Sequence, residues 1–372
     1  RLRREFTAYV PSRPQLEWQL RRRVAALGNV EFRHRAVREP GFDPALQRVT
    51  GVIVERAGAD PEHVAADLVV DASGRGTRLP VWLAQWGYDR PRVDTIEVGI
   101  GYASHHFRLP DDLMRERVVV SGAAHDQQYG LGMLGYEDGV WVLTTFGVAK
   151  AEPPRSFADM LALAERLLPA RFGAALQHAE PIGRIAFHQY PTSKWRRYDK
   201  LSRFPAGIVP LGDAALSFNP TFGQGMTMTA LQAGLLRRIL QNPGADVPRE
   251  LNRAVARAAF QVWLTNTVSD YAFHHATGPQ RWWHRRTGLL FGHLLSAAET
   301  DPVLAEWFLR RFSLLDHLHL VPPPTLVART VRHNLRHWFA GRRRRRVGAV
   351  DEDPAVAASV RGSGRSEERR VG

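Results

Sequence analysis

Residues 207–236, GIVPLGDAALSFNPTFGQGMTMTALQAGLL, read as a short apolar strand, a turn rich in Gly and Pro, and a long helix. The run Ile208, Val209, Leu211 stops at Gly212-Asp213. That stop puts a carboxylate at the carboxyl end of a strand, where α/β sheets hold nucleotides. A helix is predicted to open at Phe222 to Gln224, with glycines 223 and 225 leaving its first amides uncovered by side chains. Such a helix mouth carries partial positive charge and lets a diphosphate or an anionic ring come close. An acid able to bond a sugar hydroxyl, followed ten residues later by an anion-accepting helix start, suits a dinucleotide.

This arrangement resembles the second cofactor motif of the flavoprotein monooxygenases of the para-hydroxybenzoate hydroxylase type. That motif reads Gly-Asp-Ala, five residues, Pro, two residues, Gly-Gln-Gly, and the matching positions are Gly212, Asp213, Ala214, Pro220, Gly223, Gln224 and Gly225. The resemblance implies FAD as cofactor, with Asp213 on a ribose or ribitol hydroxyl. It also lays the helix start, including Met226, against the diphosphate and the flavin. Without the resemblance, the same residues make an ordinary strand, turn and capped helix.

Two further stretches fit the same frame. Ser12-Arg13-Pro14 before LEWQLRRRVAAL predicts a capped helix with an apolar face of Leu16, Leu20, Val24 and Leu27. The resemblance makes Arg13 a candidate contact for the FAD diphosphate; composition alone makes it one solvated arginine among many. Residues 49–56 and 67–71 are β-rich and read as a hairpin-like pair across a polar loop. The second run ends in Asp71-Ala72-Ser73-Gly74-Arg75-Gly76-Thr77-Arg78. In the resembled fold a glycine turn after this strand covers the cofactor, which makes Asp71 and Gly74 candidate contacts. The family form is Ala-Asp-Gly, two residues, Ser, two residues, Arg; here Ser73, Thr77 and Pro80 replace its Asp, Ser and Arg. That departure weighs against direct reduction by NAD(P)H, although Asp71 and Arg78 are near enough in sequence to substitute. The Asp-Ala-Ser-Gly form resembles polyprenyl reductases and halogenases more closely.

Between the two motifs, residues 93–148 alternate β-like runs with short turns, which predicts an antiparallel sheet. Leu79–Tyr88 reads as a short amphipathic helix, Ser156–Leu168 as a capped one, and 182–190 as a returning strand. Aromatics Tyr102, Tyr129, Tyr136, Trp141, Phe146, Phe187 and Tyr190 could line an apolar cavity or simply fill a core. His188 and Tyr190 are the candidate bases on that strand. After the central helix, residues 248–276, 279–298, 301–313 and 325–340 read as helices.

Composition sets outer bounds. The chain has 372 residues, 44% of them hydrophobic, enough for one or two folded domains. It has no cysteine, which removes disulfides and thiolate metal sites. No stretch reaches the ~18 apolar residues of a membrane-crossing helix and no signal-peptide pattern is visible, which fits a cytoplasmic protein. The formal net charge is +14, and only three of the 51 basic residues are lysine. Eight arginines and no acid lie between 321 and 346. A basic amphipathic helix with an aromatic end and an arginine cluster suits the inner, anionic face of a membrane; a terminal helix docked on the core is the plainer reading. No nucleic-acid partner is expected. His105-His106 and His274-His275 are neighbours without a third ligand, and His333 and His337 lack a metalloprotease glutamate, so no metal is expected. No G-x-S-x-G occurs.

The expected architecture is α/β with an α+β substrate region. It comprises an incomplete FAD/NAD(P)-binding domain of the glutathione-reductase-like kind (1–80 and 201–245), an antiparallel-sheet substrate domain (81–200), a helical region (246–340) and a basic disordered tail (341–372). The first strand and its glycine fingerprint are expected upstream of Arg1, and Arg365–Gly372 resembles translated sequencing adapter. The resemblance implies a monooxygenase whose flavin hydroperoxide delivers an oxygen atom to an apolar or aromatic small molecule, with NAD(P)H as a candidate electron donor. The alternatives are an FAD-dependent polyprenyl or double-bond reductase, a halogenase (disfavoured by the missing W-x-W-x-I-P), and a non-catalytic basic membrane-associating protein.

Overall fold

A computed structural model describes residues 9–336 apart from 57, 124–126, 245, 272, 274, 279–281 and 317–321. The basic tail, and with it His337, Trp338, Phe339 and Arg342–Arg346, lies outside the described residues. The chain divides into two units, residues 6–288 with 312–320, and residues 1–5, 289–311 and 321–372.

The larger unit begins with α1 (Arg13–Ala25), whose Ser12 cap accepts from the Gln15 amide and whose Pro14 occupies the first turn. The predicted start is therefore right, but the apolar face is not buried. Leu20, Val24 and Leu27 are exposed, because no described element packs on them. Next comes an antiparallel meander of β1 (Val37–Asp43), β2 (Arg48–Arg56) and β3 (Ala59–Ala65). β2 thus pairs with β1 and β3, not with residues 67–71 as the β-rich runs suggested. The polar run 59–65 becomes a strand because Gly51 lets it come close: a Cβ there would lie 2.1 Å from the Val64 carbonyl oxygen.

β4 (Val69–Asp71) instead runs parallel to β10 (Ile208–Pro210), with Val69 opposite Ile208 and Asp71 opposite Pro210. Ile208 and Val209 are fully buried. Ile208 packs with Val49 of the meander, Tyr198, and Leu79 and Leu83 of α2 (Leu79–Gln85).

The largest sheet has six antiparallel strands in the order β11-β9-β5-β8-β7-β6. They are β5 (Val93–Arg108), β6 (Val118–Ser121), β7 (Tyr129–Gly135), β8 (Val140–Gly147), β9 (Glu180–Arg196) and β11 (Leu216–Ser217). The period-2 pattern decides its faces. One face carries Ala103, Phe107, Met133 and Leu143 against Met160 of α3 (Phe157–Leu167) and Phe172 of α4 (Ala170–Leu176). The other carries Ile96, Val98, Ile100 and Tyr190, with Tyr102 and Phe146 beside them and Tyr271 packed on top. Ser156 caps α3 through the Asp159 amide, as its sequence indicates. Trp141 is core, while Phe187 is exposed.

α5 (Gly225–Gln241) and α6 (Val247–Asp270) pack with Trp195, Val209 and Leu216 in a separate cluster. In the smaller unit, residues 289–298 of α7 (Trp282–Ala298) are followed by α8 (Pro302–Phe312) and a final described helix, α9 (324–336). No helix among the described residues is long and apolar enough to cross a membrane.

Candidate functional site

The parallel pair brings two motifs to one edge. β4 and β10 both end in single 3₁₀ turns, Gly74–Gly76 and Gly212–Ala214, and the Leu211 amide donates to the Asp71 carbonyl at 2.9 Å. Gly212 adopts φ +63°, which only glycine accepts readily, and its amide donates to Gln232 Oε1 of α5 at 2.8 Å. A Cβ on Gly212 would sit 3.3 Å from Thr229 Oγ1, so this turn lies directly against the second turn of α5. Asp213 follows directly in a turn that is packed against α5.

Asp213 is half-buried and its carboxylate has no hydrogen-bond partner among the described residues. Burial raises it above the ordinary carboxylate value, against the pull of Arg75, then Arg196, then Arg13. Arg13 reaches this neighbourhood from α1 while pairing with Glu17 at 2.7 Å on an exposed surface. Arg13 is thus near enough to act on Asp213 through charge, its own ion pair being with Glu17.

Asp71 is bonded within its own turn. Its Oδ1 accepts from the Ser73 amide at 3.0 Å and the Ser73 hydroxyl at 2.5 Å, and its Oδ2 accepts from the Thr77 hydroxyl. Both oxygens are thereby spent on folding the turn around Gly74, whose φ is +77°.

Two arginines that the sequence does not single out lace the turns together. Arg196, buried at the end of β9, donates to the carbonyls of Asp213 at 3.1 Å, Ala214 at 3.4 Å and Arg75 at 2.7 Å. Arg75 donates to Ser217 Oγ at 3.1 Å and the Thr192 carbonyl at 2.9 Å, and lies 4.1 Å from the centre of the Tyr190 ring. Burial raises the Tyr190 phenol above its ordinary value, and its hydroxyl has no partner within bonding geometry. His188, on the same strand, is exposed and stacks on Tyr102 at 5.2 Å. Of the two candidate bases, Tyr190 is the one placed at the motif turns.

The loop before α5 is built differently from its sequence reading. After β10 the chain first visits the large sheet as β11, then turns through Pro220–Phe222 and a left-handed Gly223, φ +65°, so α5 begins at Gly225. Gln224 is buried. It accepts from Asn266 Nδ2 at 2.9 Å and donates to the Phe312 carbonyl at 2.8 Å. Asn219 Oδ1 accepts from the amide and hydroxyl of Thr221, and its Nδ2 donates to Asp270 Oδ1 at 2.8 Å. Asn266 and Asp270, one turn apart on α6, therefore clamp the loop at two points. Asp270 is 1% exposed, burial pushes its carboxyl up to about 7, and its Oδ2 has no partner. Only a polar i,i+4 pair on an otherwise apolar helix face could have revealed it.

The helix mouth itself stays open. α5 has no side-chain cap, and a Cβ on Gly223 or Gly225 would meet nothing within 4 Å. The first-turn amides of Gly225, Met226 and Thr227 have no intrahelical acceptor, and Met226 is exposed. A carboxylate seeking a donor beside free amides is a site complementary to a molecule carrying both hydroxyls and phosphates.

Known proteins place this geometry. Protein Rv3254 of Mycobacterium tuberculosis is 62% identical over 356 residues, covering 93% of this chain and 75% of its own length. The chain belongs to the Rv3254 family. The profile of the Mycobacterium Rv3254 C-terminal domain matches residues 278–345. A more distant relative of this family member is LodB of Marinomonas mediterranea, which carries the name of an FAD-dependent oxidoreductase. It is 24% identical over 228 residues, covering 60% of this chain and 57% of its own. Among solved structures, the anhydrotetracycline hydroxylase OxyS of Streptomyces rimosus superposes with a TM-score of 0.51 at 18% identity, over 82% of this chain and 56% of that one. The fold is therefore a mixed helix-and-sheet one, similar to that of a flavin-dependent hydroxylase. The chain spans a little over half the length of LodB and OxyS.

Proposed function

We infer that this chain carries the cofactor grip and the substrate-side sheet of an FAD-dependent oxidoreductase, and that the enzyme is a monooxygenase for an apolar or aromatic small molecule. One observation carries the reading: a half-buried carboxylate without a donor, Asp213, beside the uncapped, glycine-opened start of α5. The residues fit FAD. Asp213 would accept from a sugar hydroxyl, the amides at 225–227 and the Arg13 guanidinium would face the phosphates, and Gly223 and Gly225 would leave room for close approach. FAD, when bound, supplies hydride and oxygen-activating chemistry that no side chain here can perform.

The protein's part is orientation. Arg196 fixes the two glycine turns relative to one another, and the Asn266 and Asp270 clamp holds the loop whose amides bind. Tyr102, Phe146 and Tyr190 give the sheet face next to the motif turns an apolar character suited to an apolar substrate. Tyr190, kept protonated by burial and lying under Arg75, is placed to donate a proton or a hydrogen bond rather than to act as a base.

Titration of FAD followed by quenching of flavin fluorescence tests the grip. Asp213→Ala is expected to weaken binding by roughly tenfold to a hundredfold, the loss of a hydrogen bond to a charged acceptor worth ~1.5–3 kcal/mol. Equal affinity in the variant, or no flavin binding by the parent protein, overturns the assignment. The Asp71-Ala72-Ser73-Gly74 turn favours a second reading, reduction of a double bond. Product mass separates the two: one added oxygen atom marks the monooxygenase, two added hydrogens the reductase. NADH or NADPH consumption on mixing identifies the electron donor.

A further inference from the structure

The stretch matched by the Rv3254 C-terminal domain, 278–345, meets the loop before α5 through the Phe312 carbonyl and also contains a helix of unusual surface. α9 is docked by one face. Arg329 Nε pairs with Asp301 Oδ2 at 2.5 Å, His333 Nε2 and the Thr300 hydroxyl lie 2.7 Å apart, Asn334 Nδ2 donates to the His293 carbonyl at 3.1 Å, and Thr330 is buried. These three contacts fix the rotation of the helix against α7 and the turn before α8. The opposite face is left outside. Val327, Val331 and Leu335, spaced i, i+4, i+8 and so aligned in one stripe, are 44%, 52% and 50% exposed. Arg332 and Arg336 are exposed beside the stripe, and a run of five arginines, 342–346, follows in the sequence. No acid occurs from 321 to 346.

We propose that this face of α9 is a docking surface for an anionic phospholipid membrane, with Val327, Val331 and Leu335 entering the headgroup boundary while Arg332 and Arg336 meet the lipid phosphates. The chemistry selects this occupant. An aliphatic stripe gains nothing against a nucleic-acid backbone, which offers charge and stacking but no apolar depth. Beside an anionic bilayer both halves of the surface are satisfied at once. The contact is peripheral, since no described helix can cross a bilayer. It places an enzyme with an apolar substrate face at the phase where apolar substrates collect, but it does not depend on the flavin reading.

The test is sedimentation of the full chain with vesicles of phosphatidylcholine alone or mixed with phosphatidylglycerol, at constant ionic strength. The parent protein is expected to prefer the anionic vesicles and to be released by high salt. Arg332→Gln with Arg336→Gln should lower partitioning by ~30-fold, from a contribution of about fivefold per arginine near an anionic surface. Val331→Asp with Leu335→Asp should abolish it. Both pairs are on the solvent face, so unchanged circular dichroism is expected, and the milder Val327→Ser, Val331→Ser, Leu335→Ser variant checks the same stripe if the aspartates disturb folding. Equal binding to neutral vesicles, no binding at all, or apolar-stripe variants that bind like the parent overturn the proposal. Retained binding of those variants to a short DNA duplex that strips the parent from vesicles assigns the arginines to nucleic acid and overturns it equally.

Discussion

Asp270→Asn isolates the clamp behind the helix mouth. The Asp270 carboxyl is fully buried, shares one oxygen with Asn219 and leaves the other without a partner, and burial raises it from 3.8 to about 7. A raised folded-state value means that the folded protein holds the proton more tightly than the unfolded chain does. Its stability contribution is therefore complete below about pH 4 and is lost as pH climbs to about 7. A shift of ~3 units corresponds to ~4 kcal/mol, of which ~3 kcal/mol falls between pH 5 and 8. Asparagine keeps the acceptor for Asn219 but cannot ionise. It also buries an amide where an oxygen without a partner stood, an offset of ~1–3 kcal/mol that does not change with pH. The assay is urea unfolding of both proteins from pH 5 to 8, followed by tryptophan fluorescence, with Trp263 of α6 packed against Trp195 and Phe218 as a nearby reporter. The parent should lose stability relative to the variant by ~2–3 kcal/mol across that range. A difference that stays flat to within ~0.5 kcal/mol would refute the buried, proton-holding carboxyl.

The other consequences are simpler. Arg196→Met removes three bonds from a buried guanidinium to the carbonyls of Asp213, Ala214 and Arg75; it should cost ~2–4 kcal/mol in thermal or urea unfolding, and a neutral result would mean the turns stand without it. Gly225→Leu adds a side chain where a Cβ meets nothing within 4 Å, so circular dichroism should be unchanged while FAD affinity drops at least tenfold; a folded variant with parental affinity rules out close approach there. Gly207→Ala places a Cβ 2.1 Å from the Val49 carbonyl oxygen at φ +75°, and is expected to lower the unfolding midpoint by more than ~2 kcal/mol equivalents; parental stability would show that the contact of β10 with the meander gives way easily.

What could be read from the sequence is what neighbours along the chain decide. The Gly212-Asp213 strand end, the Ser156 cap and the alternation in β5, β7 and β8 are local patterns found where the sequence puts them, and the glycine-opened helix is found just after its expected start, at Gly225. Pairing is less local. The run 59–65 looks like a polar loop, yet it completes a meander because Gly51 makes room for it, and 69–71 goes to β10 across a separation that no hairpin pattern encodes. The exposed face of α1 shows the converse, since amphipathic spacing fixes which residues could be buried but not what covers them.

The supports of the site are legible least of all, and for one physical reason. Arg75, Arg196, Asn266 and Asp270 act through single polar side chains that bridge elements distant in sequence; the Arg196 bond to Arg75 spans 121 residues and the Asn219 bond to Asp270 spans 51. Nothing in a periodicity distinguishes such a residue from a solvated arginine or a helix-face asparagine. The same geometry gives Gln224 a supporting part in this chain. A glycine-opened helix start has no side chains of its own to hold it, so its position must be set from behind. Gln224 with Asn266, and Asn219 with Asp270, supply that hold. A mouth kept bare for a ligand in front needs a buried polar clamp at its back, and loosening the clamp should disturb the grip without touching a single residue that faces the ligand.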